Sequence, residues 1–125
     1  MALFLSTKRI ARVQSAIAYL ETQKNLFSKE GELAPSRCWV ARYQIRQPRK
    51  AYWYYKLHAT FPIFPTTETP TLSKYKHLGK AGSQAHIDGV MSVVRRTIVD
   101  ELQQTIDSLK NSLLDISFDA EQEDQ

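Results

Sequence analysis

Between residues 37 and 80 the chain carries nine Lys and Arg residues against a single acid, Glu68. Arg42, Arg46, Arg49, Lys50, Lys56, Lys74, Lys76 and Lys80 can each neutralise a phosphate, and Tyr52 and Tyr54 stand among them with rings able to stack on bases or pack on sugars. An arginine can also set its guanidinium fork against a guanine edge. These ten residues are the candidate nucleic-acid contacts. An ordinary solvated surface mixes charge signs and this segment does not, so the expected partner is rich in phosphate.

Other chemistries find little to work with. Metal-dependent nucleases need clustered carboxylates, and the basic segment offers only Glu68, in a proline-rich stretch. His58, His77, His86 and Cys38 do not fall at metal-ligand spacings, so neither a metal nor another cofactor is expected. No serine or cysteine stands in a nucleophile motif. Gly79-Lys80-Ala81-Gly82-Ser83 lacks the GxxxxGK[ST] spacing of a P-loop. Its backbone N–H groups leave two readings open, a phosphate contact or a capped turn. Arg95 and Arg96 are expected to pair with Asp88 or Asp100 rather than reach a phosphate. Binding without catalysis is the expectation.

Strands must position the basic residues. RCWVARYQIRQPRKAYWYYKLH, residues 37–58, predicts a hairpin with its turn at Gln47-Pro48-Arg49-Lys50, because β-branched and aromatic residues flank that turn. Alternation along a strand puts Trp39, Ala41, Tyr43 and Ile45 on one face of the first strand. It puts Ala51, Trp53, Tyr55, Leu57 and Ala59 on one face of the second. Joined, these two sets form the expected core face, and Trp39, Tyr43, Ile45, Trp53, Tyr55 and Leu57 are expected to pack on the long helix that follows. The opposite face then groups Arg42, Gln44 and Arg46 with Tyr52, Tyr54, Lys56 and His58. Residues 61–70, FPIFPTTETP, hold three prolines and predict an ordered loop pinned by Phe61, Ile63 and Phe64. Residues 72–78 predict a third strand, completing a three-stranded antiparallel sheet.

Two helices flank the sheet. Ile10, Val13, Ile17, Leu20 and Phe27 mark an amphipathic helix of about 22 residues, capped at Ser6 or Thr7 and ended by Gly31 and Pro35. Lys24 stands where an apolar residue would complete the series. The opening MALFLSTKRIARVQSA is basic and acid-free, as transit peptides are, but its apolar spacing continues past Glu21 and is assigned to the helix. After Ser83 as N-cap, Ile87, Met91, Val94, Ile98, Leu102, Ile106, Leu109, Leu113 and Ile116 mark a single stripe over about 30 residues. That helix would be about 50 Å long against about 33 Å for the first. The shorter helix could not cover the stripe of the longer, so a second copy of the chain is expected, with Ile98, Leu102, Ile106, Leu109 and Leu113 as the dimer seam. Asp115, Asp119, Glu121, Glu123 and Asp124 give the last eleven residues five acids and no base; a frayed tail is expected after Phe118.

The expected fold class is therefore α+β, with a helix in residues 1–36, a basic three-stranded sheet in 37–80, a long helix in 81–117 and an acidic tail in 118–125. The strings W-V-A-R-Y, Y-W-Y-Y-K-L and K-Y-K-H-L-G, with the R-K turn and the helix after them, resemble the arm-type DNA-binding domains of phage and transposon recombinases over residues 37–96. That resemblance implies a sheet set against DNA with the helix behind it and, since no catalytic recombinase segment is present, an accessory or regulatory role. The expected function is that of a dimeric double-stranded DNA binder, because sheets of two or three strands can enter the major groove, with RNA left open. The alternative is a protein-interaction adaptor whose long helices bind a partner, its basic sheet docking on an acidic protein. No run approaches the roughly 18 apolar residues of a membrane span, and with one cysteine the expected location is the cytoplasm, or the nucleoid for a DNA binder.

Overall fold

A computed structural model describes residues 2–67 and 70–123, with side chains from 7 to 119 within those spans. Glu68 and Asp124, and the side chains of Ser6, Glu121 and Glu123, lie outside the described residues. The order is α1 (Ala2–Lys29), β1 (Cys38–Gln47), β2 (Lys50–Ala59), β3 (Phe64–Pro65), β4 (Leu72–Ser73), β5 (Tyr75–Lys80) and α2 (Gln84–Glu123), an α+β protein. The chain forms two compact units: Gly31–Arg96, and α1 together with the part of α2 from Thr97 onward.

In the first unit β1, β2 and β5 form an antiparallel sheet in that order, while β3 and β4 make a separate two-stranded ribbon. The hairpin turn falls at Gln47–Lys50 as expected, with Gln47 paired to Lys50. The expected third strand is divided: Leu72–Ser73 pairs with Phe64–Pro65, and only after a bend at Lys74 does Tyr75–Lys80 join β2. The proline-rich segment thus contributes a strand of its own, short because Pro65 has no N–H to extend a ladder. Where β5 runs beside Tyr55 and Lys56 the register slips by one residue. Gly79 supplies the left-handed backbone there (φ 99°), which lets the extra residue, Leu78, turn its side chain into the core.

Register overturns the expected assignment of faces. Gln47 pairs with Lys50 and every further pair keeps the same sum, so Val40 lies beside Leu57 and Trp39 beside His58. Across a two-residue turn, an odd-numbered residue therefore shares its face with an even-numbered one. The helix-side face carries Cys38, Val40, Arg42, Gln44 and Arg46 with Ala59, Leu57, Tyr55, Trp53 and Ala51. The open face carries Trp39, Ala41, Tyr43 and Ile45 with His58, Lys56, Tyr54 and Tyr52. Trp39, Tyr43 and Ile45 are thus not core residues, and Arg42 and Arg46 do not share a face with Tyr52 and Tyr54. The core consists of Leu57, Ala59, Phe64 and Leu78, with Cys38, Val40, Tyr55 and Val93 packed on it; each large side chain buried there contributes about 1.5–3 kcal/mol.

Close approach sets the helical side of that core. Ser83 caps α2, its Oγ accepting from His86 N at 3.2 Å. Gly89 lies directly against the Leu78 side chain, so close that a Cβ there would stand 2.6 Å from Leu78 Cδ1. One turn on, Ser92 O accepts from Ala34 N at 3.1 Å. Gly89, Ser92 and Val93, not the apolar series, therefore form this side of α2. Ile87, Met91 and Val94 are left 47, 44 and 41% exposed, which corrects the expected single stripe. Arg95 Nε donates to Glu32 O at 2.9 Å and Arg96 Nε to Ala34 O at 2.7 Å, holding the segment before β1 in place.

In the helical unit, α1 begins at Ala2, ahead of the cap expected at Ser6 or Thr7. Ile17 and Ile106 are buried, Ile106 to 1% exposure. Lys24, out of place in the apolar series, donates through Nζ to Gln103 Oε1. Lys110 and Glu21 form an ion pair at 3.3 Å. α2 has 40 residues and α1 has 28, but the residues of α2 before Thr97 belong to the sheet unit. The rest is comparable in length to α1, so the mismatch that called for a second copy disappears, and Ile106, at the centre of the expected dimer seam, is taken up within one chain. α2 continues as helix to Glu123 rather than fraying after Phe118. No helix among the described residues is long and apolar enough to cross a membrane.

Candidate nucleic-acid interface

The open face of the sheet is a field of rings and cations. Trp39, His58 and Tyr75 form a row across the three strands, with ring centroids 4.4 and 4.5 Å apart. Beside that row Tyr43 packs on Tyr54 and on His77, both at 5.9 Å, and Tyr43 Oη and His77 Nδ1 share a 3.1 Å hydrogen bond. Lys56 Nζ lies 4.2 Å above the Tyr75 ring and 5.3 Å from that of Tyr43, and Lys80 Nζ lies 4.5 Å above Tyr52. Such contacts hold a lysine over a ring with about 0.5–1 kcal/mol at an exposed site. Trp39, Tyr75 and Ile45 are 44, 40 and 39% exposed, a large apolar display for a face that no described element of its unit covers. No Asp or Glu occurs in β1, β2 or β5.

The ten candidate contacts are divided by this geometry. Tyr52, Tyr54, Lys56 and Lys80 belong to the open face, and register puts Lys50 at its turn end. Arg42 and Arg46 are on the helix side, where Arg42 lies 4.2 Å over the Trp53 ring and Arg46 Nε donates to Gln44 Oε1 at 3.2 Å. Trp53 is 40% exposed, so the hairpin's outer end is open on this side too. At the tip Gln44, Arg46, Gln47, Arg49, Lys50 and Ala51 line a shallow depression of about 330 Å³. Lys76 pairs with Leu57 and so belongs to the helix side at the sheet edge, while Lys74 occupies the exposed bend before β5. Trp39, Tyr43 and Ile45, expected in the core, complete the open face instead, joined by Tyr75 and His77.

Hydrogen bonds within the fold shape the glycine turn before α2. Ala81 N donates to Trp53 O, Ser83 N to Lys80 O and Gly82 N to His86 Nδ1, each at 3.0 Å. Those bonds, with the Ser83 side chain over the first turn of the helix, make it a capped turn. His86 itself stacks on Tyr55 at 3.8 Å and ties the helix to the sheet.

Cys38, half-buried beside the core, has its thiol pushed above the ordinary range by burial; a hydrogen bond with the Trp39 backbone and the charge of Lys76 pull the other way. Among the described residues no three His, Cys, Asp or Glu side chains gather as a metal site would require. A concavity of about 440 Å³ lies on the helix side of the sheet unit, lined in part by Leu57, Phe64, Leu78, Gly89 and Ser92. Its buried hydroxyl, Ser92 Oγ, already donates to Gly89 O at 2.7 Å.

The fold and this face define a class: a small α+β module with a helix behind a three-stranded sheet, the sheet's other face uncovered by any described element of that unit. Compared with known proteins, the chain matches no family model, no curated protein and no solved structure.

Proposed function

We propose that this chain is a non-catalytic nucleic-acid-binding protein that works through the open face of its sheet, as a regulator or accessory factor. One observation carries the reading: a single exposed face assembles Trp39, Tyr43, Tyr52, Tyr54 and Tyr75 with Lys56 and Lys80 and without a carboxylate. Lysines attract the phosphate backbone and rings give bases a surface to stack on. The expected preference for duplex DNA rested on the entry of two- or three-stranded sheets into the major groove. The rings of the open face offer a stacking surface to bases of DNA and RNA alike, so the proposal extends to nucleic acid in general. Titration of a labelled oligonucleotide, single-stranded and duplex, at low and physiological salt tests it. Binding that weakens steeply with salt supports the proposal, and no binding at low salt refutes it.

A second reading has its own observation. Ile87, Met91 and Val94 form an exposed apolar row at helical spacing on α2, the kind of surface a partner helix or a second copy covers. An adaptor role predicts that a protein is recovered with the chain after nuclease treatment, and that recovery is lost in Met91→Glu.

A further inference from the structure

We infer that the open face takes an unpaired strand rather than a duplex, with bases stacking along the row Trp39–His58–Tyr75. The inference rests on the nucleic-acid reading above and deepens it. In a duplex the flat faces of the bases are covered by their neighbours, and a groove displays only edges, read by long hydrogen-bonding side chains. In a single strand the faces are free, and aromatic side chains are what binds them. This surface is built for the second case. Its exposed groups are rings, with Trp39 and Tyr75 44 and 40% exposed at the two ends of the row. The guanidinium groups of Arg42 and Arg46, suited to reading guanine, are on the other side of the sheet.

The cations of the open face fit the same occupant. Lys56 rests on Tyr75 and Lys80 on Tyr52. A phosphate can draw each ammonium aside, exchanging a cation–ring contact for an ion pair and freeing the ring for a base in the same motion. Phosphate capture and base stacking are thereby coupled at the same side chains.

The chain has two tryptophans, and they report separately on the two sides of the sheet. In Trp53→Phe the remaining fluorophore is Trp39 of the open face; in Trp39→Phe it is Trp53, under Arg42. Oligothymidylate is expected to quench the emission of Trp53→Phe strongly and that of Trp39→Phe little. A duplex of the same length should compete at least about fivefold less well, given what one stacked base contributes. Trp39→Ala should weaken single-strand binding about 5- to 150-fold without lowering the salt slope, because the ring carries no charge. Tyr75→Ala, at the other end of the row, serves should Trp39→Ala fail to fold. An oligouridylate arm distinguishes RNA from DNA. Oligothymidylate that binds without quenching Trp39, or a duplex that binds as tightly, overturns the inference and leaves the nucleic-acid reading standing. Absence of binding to either overturns both.

Discussion

Gly89→Ala puts the packing of helix on sheet to a quantitative test. In an exposed helix interior, glycine to alanine stabilises by about 1 kcal/mol through propensity alone. Here the new methyl would stand 2.6 Å from Leu78 Cδ1, 2.8 Å from Cδ2 and 3.2 Å from Cγ. Leu78 is 5% exposed and belongs to the core, so its side chain must shift against Leu57, Ala59 and Phe64 or into the concavity that it lines with Gly89. Overpacking costs about 1–3 kcal/mol, and approaches this short argue for the upper half of that range. The net expectation is a loss of about 1–2 kcal/mol, opposite in sign to the propensity effect. Both tryptophans belong to the sheet unit, so urea denaturation followed by their fluorescence reports on the right part of the chain. Repeating the substitution in a Leu78→Ala background removes the colliding carbons, and there Gly89→Ala should stabilise. Stabilisation in the native background, or the same sign in both, would refute the close approach.

Two further outcomes follow from burial. Ile106→Ala should cost about 2–5 kcal/mol by far-ultraviolet circular dichroism in urea, since its side chain is enclosed within one chain; a loss below about 1 kcal/mol would return that residue to an interface between copies. Cys38 has a folded-state thiol pKa above its unfolded value, so its contribution to stability is full below the unfolded value and is lost as pH rises through the folded one. Alkylation of the folded chain by iodoacetamide should accordingly show a midpoint at higher pH than in urea, and a midpoint at or below the unfolded one would contradict the burial argument.

Much of the architecture was legible in the sequence because it depends on local chemistry. The turn residues at Gln47–Lys50, the β-rich runs either side of them and the cap at Ser83 each follow from a few neighbouring residues. Faces are another matter. Alternation sorts each strand correctly into two sets, but apolar character joins the sets one way and register joins them the other. The two-residue turn already determines the answer, since pairing Gln47 with Lys50 obliges Trp39 to lie beside His58. Aromatic residues mislead because a Trp or Tyr reads as core material even where it stands on an open surface. The start of α2 misleads in the opposite way: Gly89 and Ser92 carry no hydrophobic signal, yet the sheet and the preceding segment approach them closely, Gly89 through Leu78 and Ser92 through Ala34. The hydrogen bonds of Arg95 and Arg96 to Glu32 and Ala34 carbonyls are beyond any spacing rule, since they join residues 63 and 62 positions apart.

The central claim concerns one face of one sheet, and charge reversal on each side separates it from its neighbour. Lys56→Glu with Lys80→Glu changes the open face, while Arg42→Glu with Arg46→Glu changes the helix side. Affinity for a labelled oligonucleotide is measured for both pairs and for the native chain across a salt series. The account predicts that the lysine pair weakens binding steeply and lowers the salt slope by about 0.7–0.9 for each phosphate no longer neutralised, while the arginine pair has the smaller effect. Binding that survives the lysine reversal and collapses with the arginine reversal would contradict it.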